Sequence, residues 1–293
     1  PPSWTGRDTY ERSIAVDKNV TINLCVTQGT LKVTGWSRNE VRVFVKDGMK
    51  TRFNVTQAGP HGDSPVWIKI VGMEAKGKYG PQVDCISGDE IEIDAPVGST
   101  VNMNGKEATT TIDGVKKVEV KTFGGDISLR NIANGITATT GQGDISVDES
   151  TGSIGLGTTT GNILVFDAGP SEIGDGFKAR TNGGTISLQS LRHRQIDVSS
   201  TSGSVFYDGE ILSGGTYSLS TVRGSIKMSI PANSSCQIVA WYGYGNFSSD
   251  LPLKIETEDK YEGPTKRTIG KLGEGGASVK LTSNNGSILI KKR

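Results

Sequence analysis

Histidine is nearly absent from this sequence: only His61 and His193 occur among 293 residues. No serine sits in a GxSxG elbow and no HExxH is present, so a hydrolase triad or a zinc peptidase would have to be built on one of these loop histidines. Cysteine is scarce as well. Cys25, Cys85 and Cys236 include no CxxC pair, which removes support for zinc-ribbon or thioredoxin-type chemistry. One disulfide plus a free thiol fits three cysteines, and so do three buried thiols acting as small apolar side chains. No run of about 18 apolar residues exists, so no membrane-spanning helix is expected. Neither sign of charge is in excess. The 32 basic and 31 acidic residues give a net charge of +1, which leaves no electrostatic case for nucleic acid or for an anionic membrane. Capped stretches with a 3.6-residue period are missing too, so helix is excluded as a main element. The chain opens on PPSWTG, without an initiator Met or a charged-then-apolar leader, and reads as a mature form whose signal peptide has been removed.

Glycine, by contrast, is abundant. There are 40, roughly twice the average usage, and they follow no collagen triplet. Instead they anchor a longer repeat: apolar, x, apolar, x, Thr/Ser, x, x, Gly, polar, apolar, x, apolar. VEVKTFGGDISL (118–129), ITATTGQGDISV (136–147), IGLGTTTGNILV (154–165), FKARTNGGTISL (177–188), IDVSSTSGSVFY (196–207), YSLSTVRGSIKM (217–228), IVAWYGYGNFSS (238–249) and VKLTSNNGSILI (279–290) all carry it. INLCVTQGTLKV (22–33) is an earlier copy, and VNMNGKEATTTI (101–112) is a degraded one. The anchors Gly125, Gly143, Gly161, Gly184, Gly203, Gly224, Gly245 and Gly286 are spaced 18, 18, 23, 19, 21, 21 and 41 apart. The last step is near two periods, which predicts one irregular turn between 250 and 278.

Alternation at period two means strands with one buried face. Thr or Ser before Gly marks a corner where a hydroxyl bonds nearby backbone and Gly gives conformational freedom or clearance. One repeat cannot bury its own apolar face, whereas stacked repeats can. The expected fold is all-β: a single-stranded β-solenoid, right-handed by expectation, with rungs of 18–23 residues. Residues 101–293 form the solenoid proper. Residues 1–100 form an N-terminal β region that starts and caps it, with longer alternating strands in EVRVFVKDG, PVWIKIVG and DEIEIDAP, because an open solenoid end must be covered. The insertion DAGPSEIGDG (167–176) should bulge out as a loop.

These residues resemble a known family. GTLKVTGWSRNEVRVFVK (29–46), IDAPVGSTVNM (93–103) and the serial GDI, GNI and GSI corners are similar to the bacterial DUF4097 proteins, over roughly residues 14–293. Members of that family are β-strand-repeat envelope proteins that carry provisional adhesin names. The resemblance implies a β-solenoid, export to the periplasm, cell surface or medium, and no known active site. The segment 47–90 and the aromatic run 241–247 depart from the family pattern.

Candidate sites follow from the columns of the repeat. Asp126 and Asp144 share a column with Asn162, Thr185, Ser204, Ser225 and Ser287. A calcium ion between two stacked carboxylates is one reading, and a turn position that accepts any small polar side chain is the stronger one. The column Thr122, Thr140, Thr158, Thr181, Ser200, Thr221 and Ser283 reads as a hydroxyl ladder for corner backbone groups. Arg192, His193 and Arg194 read as a solvated loop. The binding-site candidates are Trp241, Tyr242, Tyr244 and Phe247 on one rung, with Phe206, Tyr207 and Tyr217 before them; exposed rings stack on sugars or anchor protein contacts. The expected function is a non-enzymatic secreted or envelope module, adhesin-like, that offers a surface to a glycan or protein partner without a cofactor. A carbohydrate-active enzyme on a β-helix, or a scaffold that self-associates through its solenoid ends, are the alternatives.

Overall fold

A computed structural model describes residues 10–46, 52–58, 67–73 and 83–293. Every regular element among them is a strand, and the chain is a β-solenoid. Its contacts divide it into two compact units, Pro1–Gln142 and Gly143–Arg293.

In the first unit, Thr21–Trp36 and Thr100–Asp113 are rungs that run through both sides of the coil and pair in parallel from Thr21 opposite Thr100 to Thr34 opposite Asp113. The degraded copy at 101–112 is therefore a complete rung, with Ala108 standing opposite Gly29. Lys117–Gly124 pairs in parallel with the first half of Thr100–Asp113, and Ile127–Arg130 with the second. At the other end, Tyr10–Ala15, Glu40–Lys46 and Ile86–Pro96 form an antiparallel cap, whose last strand lies parallel on Thr21–Trp36. A hairpin of Arg52–Ala58 and Trp67–Met73 joins the same rung. Cys25 and Cys85 form a disulfide, with Cα atoms 4.6 Å apart, between rung and cap. Cys236 is a buried free thiol, and burial pushes it up to about 11, so it is an inert core residue.

In the second unit, each rung sends alternate side chains inward from two strands. Phe177, Ala179, Ile186 and Leu188 are buried from one rung, and Ile196, Val198, Val205 and Tyr207 from the next. Each stack of like positions is held in register by parallel pairing. The corner between the strands is the tightest point. A Cβ on Gly161, Gly184, Gly203 or Gly224 would lie 2.0, 1.9, 1.9 or 2.2 Å from the carbonyl oxygen of the corner glycine one rung back. Those carbonyls are not left bare. Thr158, Thr181, Ser200, Thr221 and Ser283 donate their hydroxyls to the carbonyls of Gly143, Gly161, Gly184, Gly203 and Gly224 at 2.8–3.0 Å. The hydroxyl column is thus the expected backbone ladder. The polar column after the glycine is a second one: Asp144 accepts the N–H of Asn162, and Asn162 that of Thr185. Ser204, Ser225 and Ser287 repeat it toward Ser225, Ser287 and Asn246. Asp144 Oδ1, which the calcium reading for Asp126 and Asp144 would use, already accepts a backbone N–H. Among the described residues no group of three His, Cys, Asp or Glu is placed to hold a metal.

The far end of this unit differs from the sequence expectation. Residues 250–278 are no turn of the coil. Lys254–Lys260 and Lys266–Leu272 form an antiparallel hairpin that lies against Cys236–Tyr244. The C-terminal rung, Ser278–Asn285 and Ile288–Lys292, then returns to a slot one place back. It pairs in parallel with Thr216–Arg223 on one side and with Cys236–Tyr244 on the other. The corner glycines accordingly stack in the order Gly224, Gly286, Gly245. The return runs through Gly273–Ala277, where Gly273 and Gly275 have φ of 59° and 79°, a region that favours glycine.

Three further expectations are corrected. Tyr207 and Tyr217 are core residues, edge-to-face at 6.0 Å. Tyr207 donates its hydroxyl to the Glu210 carbonyl, and Tyr217 accepts the Leu212 N–H, which meets the polar tip of each buried ring. His193 is fully buried against Phe177 rather than solvated. Its Nε2 donates to the Gly152 carbonyl at 2.8 Å, and Nδ1 has no hydrogen-bond partner among the described residues. The flanking arginines do face water: Arg192 pairs with Asp167, and Arg194 donates to the Ser213 carbonyl. In the 167–176 insertion, strand continues to Gly169, and the loop after it is tied by Asp175, which accepts the N–H groups of Ser171 and Glu172. His61 lies outside the described residues.

Three outcomes follow for folding. Gly184→Ala drives a Cβ into the Gly161 carbonyl and should cost about 3 kcal/mol or more, whereas Thr181→Val, which only orphans that carbonyl, should cost about 1–3 kcal/mol; urea unfolding measures both. A chain ending at Ala277 loses the buried Val279, Leu281, Ile288 and Ile290 and leaves two rungs unpaired; limited proteolysis should then cut between 231 and 272, where the full chain resists. Burial lowers the His193 pKa, which the Gly152 carbonyl and Asp175 oppose and Arg192 assists. The unfolded histidine takes up a proton below about pH 6.5, so the stabilisation is complete above that pH and is lost as pH falls through it. The melting temperature should drop from pH 7 to 5, and His193→Phe should flatten that drop.

Candidate functional site

The predicted aromatic rung lies at this irregular end, and its four rings have unequal surroundings. Trp241 points outward from Cys236–Tyr244, as its place between inward Ala240 and the corner implies, but the hairpin covers it. Tyr261 stacks on it at 5.5 Å and 25°. The Arg267 guanidinium sits 5.2 Å from the Trp241 ring and 5.8 Å from Tyr261, and Asp259 holds it through Nε at 2.9 Å. Tyr242 takes the position that carries Ser or Thr in other rungs, opposite Ser283. Its ring stacks on Phe247 at 6.2 Å, its hydroxyl meets Thr268 at 3.2 Å, and the Lys266 ammonium lies 5.7 Å from its centroid. Tyr244 alone stands clear, 71% exposed. Phe206 is partly exposed on the other face of the coil.

Trp241, Tyr242 and Tyr244 share one wall of an open groove of about 530 Å³. Gly243 is part of its lining and lets the backbone of Asn284 approach closely, since a Cβ there would meet the Asn284 carbonyl at 2.5 Å. Thr282, Asn284 and Asn285 from the intercalated C-terminal rung supply hydroxyl and amide groups, Lys280 supplies an ammonium, and Pro264 and Thr265 from the hairpin turn close the far side. Phe247 backs Tyr242 and does not line the groove. The groove has apolar faces, amides that donate and accept, and one cation. Among the described residues its lining includes no carboxylate and no histidine.

Sequence reasoning missed the half of the groove that comes from the hairpin and the last rung. One signal was available: KIETEDKYEGPTKRTIG (254–270) is two alternating runs around a Gly-Pro turn, a hairpin pattern. The adjacency of Lys280 and Asn284 to Trp241 had no local signal, because it arises from the reversed order of the last two rungs.

No curated protein matches the chain. Two solved structures align with it over almost their full length. One is provisionally named a cell adhesion protein, from Clostridium sporogenes, with 11% identity and a TM-score of 0.30 over 98% of this chain and 100% of that one. The other is provisionally named an adhesin, from Bacteroides fragilis, with 12% identity and a TM-score of 0.43 over 98% of each chain. The Toastrack DUF4097 family matches residues 5–291, in agreement with the stacked Gly corners and hydroxyl ladders, and the chain belongs to that family.

Proposed function

We propose that this protein is a non-enzymatic binding module of the cell envelope or exterior, adhesin-like in use, whose groove at the C-terminal end of the coil takes a saccharide. The observation that carries this reading is the pairing of the exposed Tyr244 ring with the Asn284 and Asn285 amides across one open groove. A sugar presents an apolar C–H face and a rim of hydroxyls, and an aromatic wall beside amides matches both. The Cys25–Cys85 disulfide supports an oxidising compartment. A non-enzymatic role is supported by His193, which is buried and committed to the Gly152 carbonyl. End-to-end scaffolding is less favoured. The outermost strand of the hairpin is KIETEDK, whose alternating charges are a known guard against strand addition.

Trp241 is a poor probe of this reading, because its loss would also free Tyr261 and Arg267. Tyr244→Ala is the cleaner one. A glycan array should give a reproducible hit for the wild type, and Tyr244→Ala should weaken it about tenfold or more with an unchanged melting temperature. No hit on the array, or a hit that Tyr244→Ala leaves intact, overturns the assignment. Binding to protein ligands alone would move the groove to a protein partner.

A further inference from the structure

The charge that lines this groove is of one sign. Lys280 is the single charged residue that lines it. Lys266 stands over the Tyr242 ring at its edge, and the backbone of Arg223 pairs with Asn285 in its wall. None of these three cations has an ion-pair partner among the described residues. Two carboxylates of neighbouring strands are engaged. Asp259 holds Arg267, and Asp197 pairs with Arg180 at 3.3 Å. Glu262 is in the hairpin turn but does not line the groove. Elsewhere in this unit some basic side chains are matched by acids, as Arg192 is by Asp167 and Arg293 by Asp208. The charged lining of this aromatic and amide-lined groove is thus one ammonium and, among the described residues, no carboxylate.

From this juxtaposition we infer that the groove selects an acidic oligosaccharide, with the carboxylate of one sugar unit placed against Lys280 and the ring of a neighbouring unit against Tyr244. The inference rests on the saccharide reading above and adds its charge. Lysine is a flexible point charge rather than a fork, so it fits a single carboxylate whose position varies among sugars. Both Asn284 and Asn285 can serve the hydroxyls on either side. The contact is partly exposed, so it gives selectivity more than affinity and must weaken with salt.

The test is calorimetric titration of the full chain with a panel of uronic-acid oligosaccharides and the same panel after carboxyl reduction. The acidic members should bind more tightly than their reduced forms by about fivefold, and that margin should shrink as salt is raised from about 0.05 to 0.5 M. Lys280→Gln should erase the margin while the reduced sugars bind it as they bind wild type. Glu262→Gln, outside the groove, should change nothing. Equal binding of acidic and reduced sugars, with Lys280→Gln silent and Tyr244→Ala still damaging, overturns the acidic preference and leaves the saccharide reading intact. No binding by either panel overturns both.

Discussion

The closest approach in the coil is between the backbones of successive corners, and the rest of the repeat depends on it. The carbonyl of each corner glycine is aimed at the next corner so closely that a Cβ there would lie about 2 Å away, well inside van der Waals contact. At Gly161, Gly184, Gly203, Gly224, Gly245 and Gly286 only glycine satisfies that spacing. The same carbonyl is turned from its own strand ladder and needs a donor, because an unpaired buried carbonyl is costly. The side chain of the stacked rung that reaches it must be short and must end in a hydroxyl, which leaves Ser and Thr. Two columns of the sequence are thus fixed by one contact. The inward apolar positions then follow from strand parity, and length can vary only where a rung turns back, as in the loop tied by Asp175.

This explains why the fold was legible. Gly at the corner, a hydroxyl before it and alternation on both sides are local requirements, so each rung states them afresh. Even Thr100–Asp113 obeys the parity of its neighbours with Ala108 at the corner, opposite Gly29 in a long parallel pairing with Thr21–Trp36. Tyr207 and Tyr217 were legible by the same parity, since they occupy positions filled by Leu188 and Ile196 in the preceding rung; their aromatic character drew attention away from it. His193 was not legible. Nothing in LRHRQ distinguishes a side chain turned inward onto Gly152 from one turned to solvent.

The order of the last rungs was illegible for a different reason. VKLTSNNGSILI is as good a rung as any other, and a repeat pattern records what a rung is without recording which neighbours it takes. Spacing along the chain was read as spacing along the coil, and at 250–278 the two part company. The candidate site was therefore half visible. Trp241, Tyr242 and Tyr244 broke the repeat and could be seen, but the hairpin that covers Trp241 and the strand that carries Lys280 and Asn284 reach them only through the reversed order. Terminal repeats are expected to depart from the consensus, because they have a neighbour on one side only. Here the departure also frees outward positions for side chains that the coil does not need.

The intercalated strand joins folding to the groove. Val279, Leu281 and Ser283 of Ser278–Asn285 face inward, where they continue the core and hold the Gly224 carbonyl. Lys280, Thr282 and Asn284 of the same strand face outward and floor the groove. One strand thus contributes a face to each, in strict alternation. The rung of Cys236–Tyr244 has no parallel partner in its own coil until Ser278–Asn285 arrives, so the end of the coil closes late, through contacts between segments far apart in sequence. Such contacts are formed slowly and only when the entropy of loop closure has been met. The groove cannot exist in a partly closed coil, because its floor and the plug of the core are one strand. The groove is therefore assembled by the same step that completes the fold, and it is displayed only by a finished molecule.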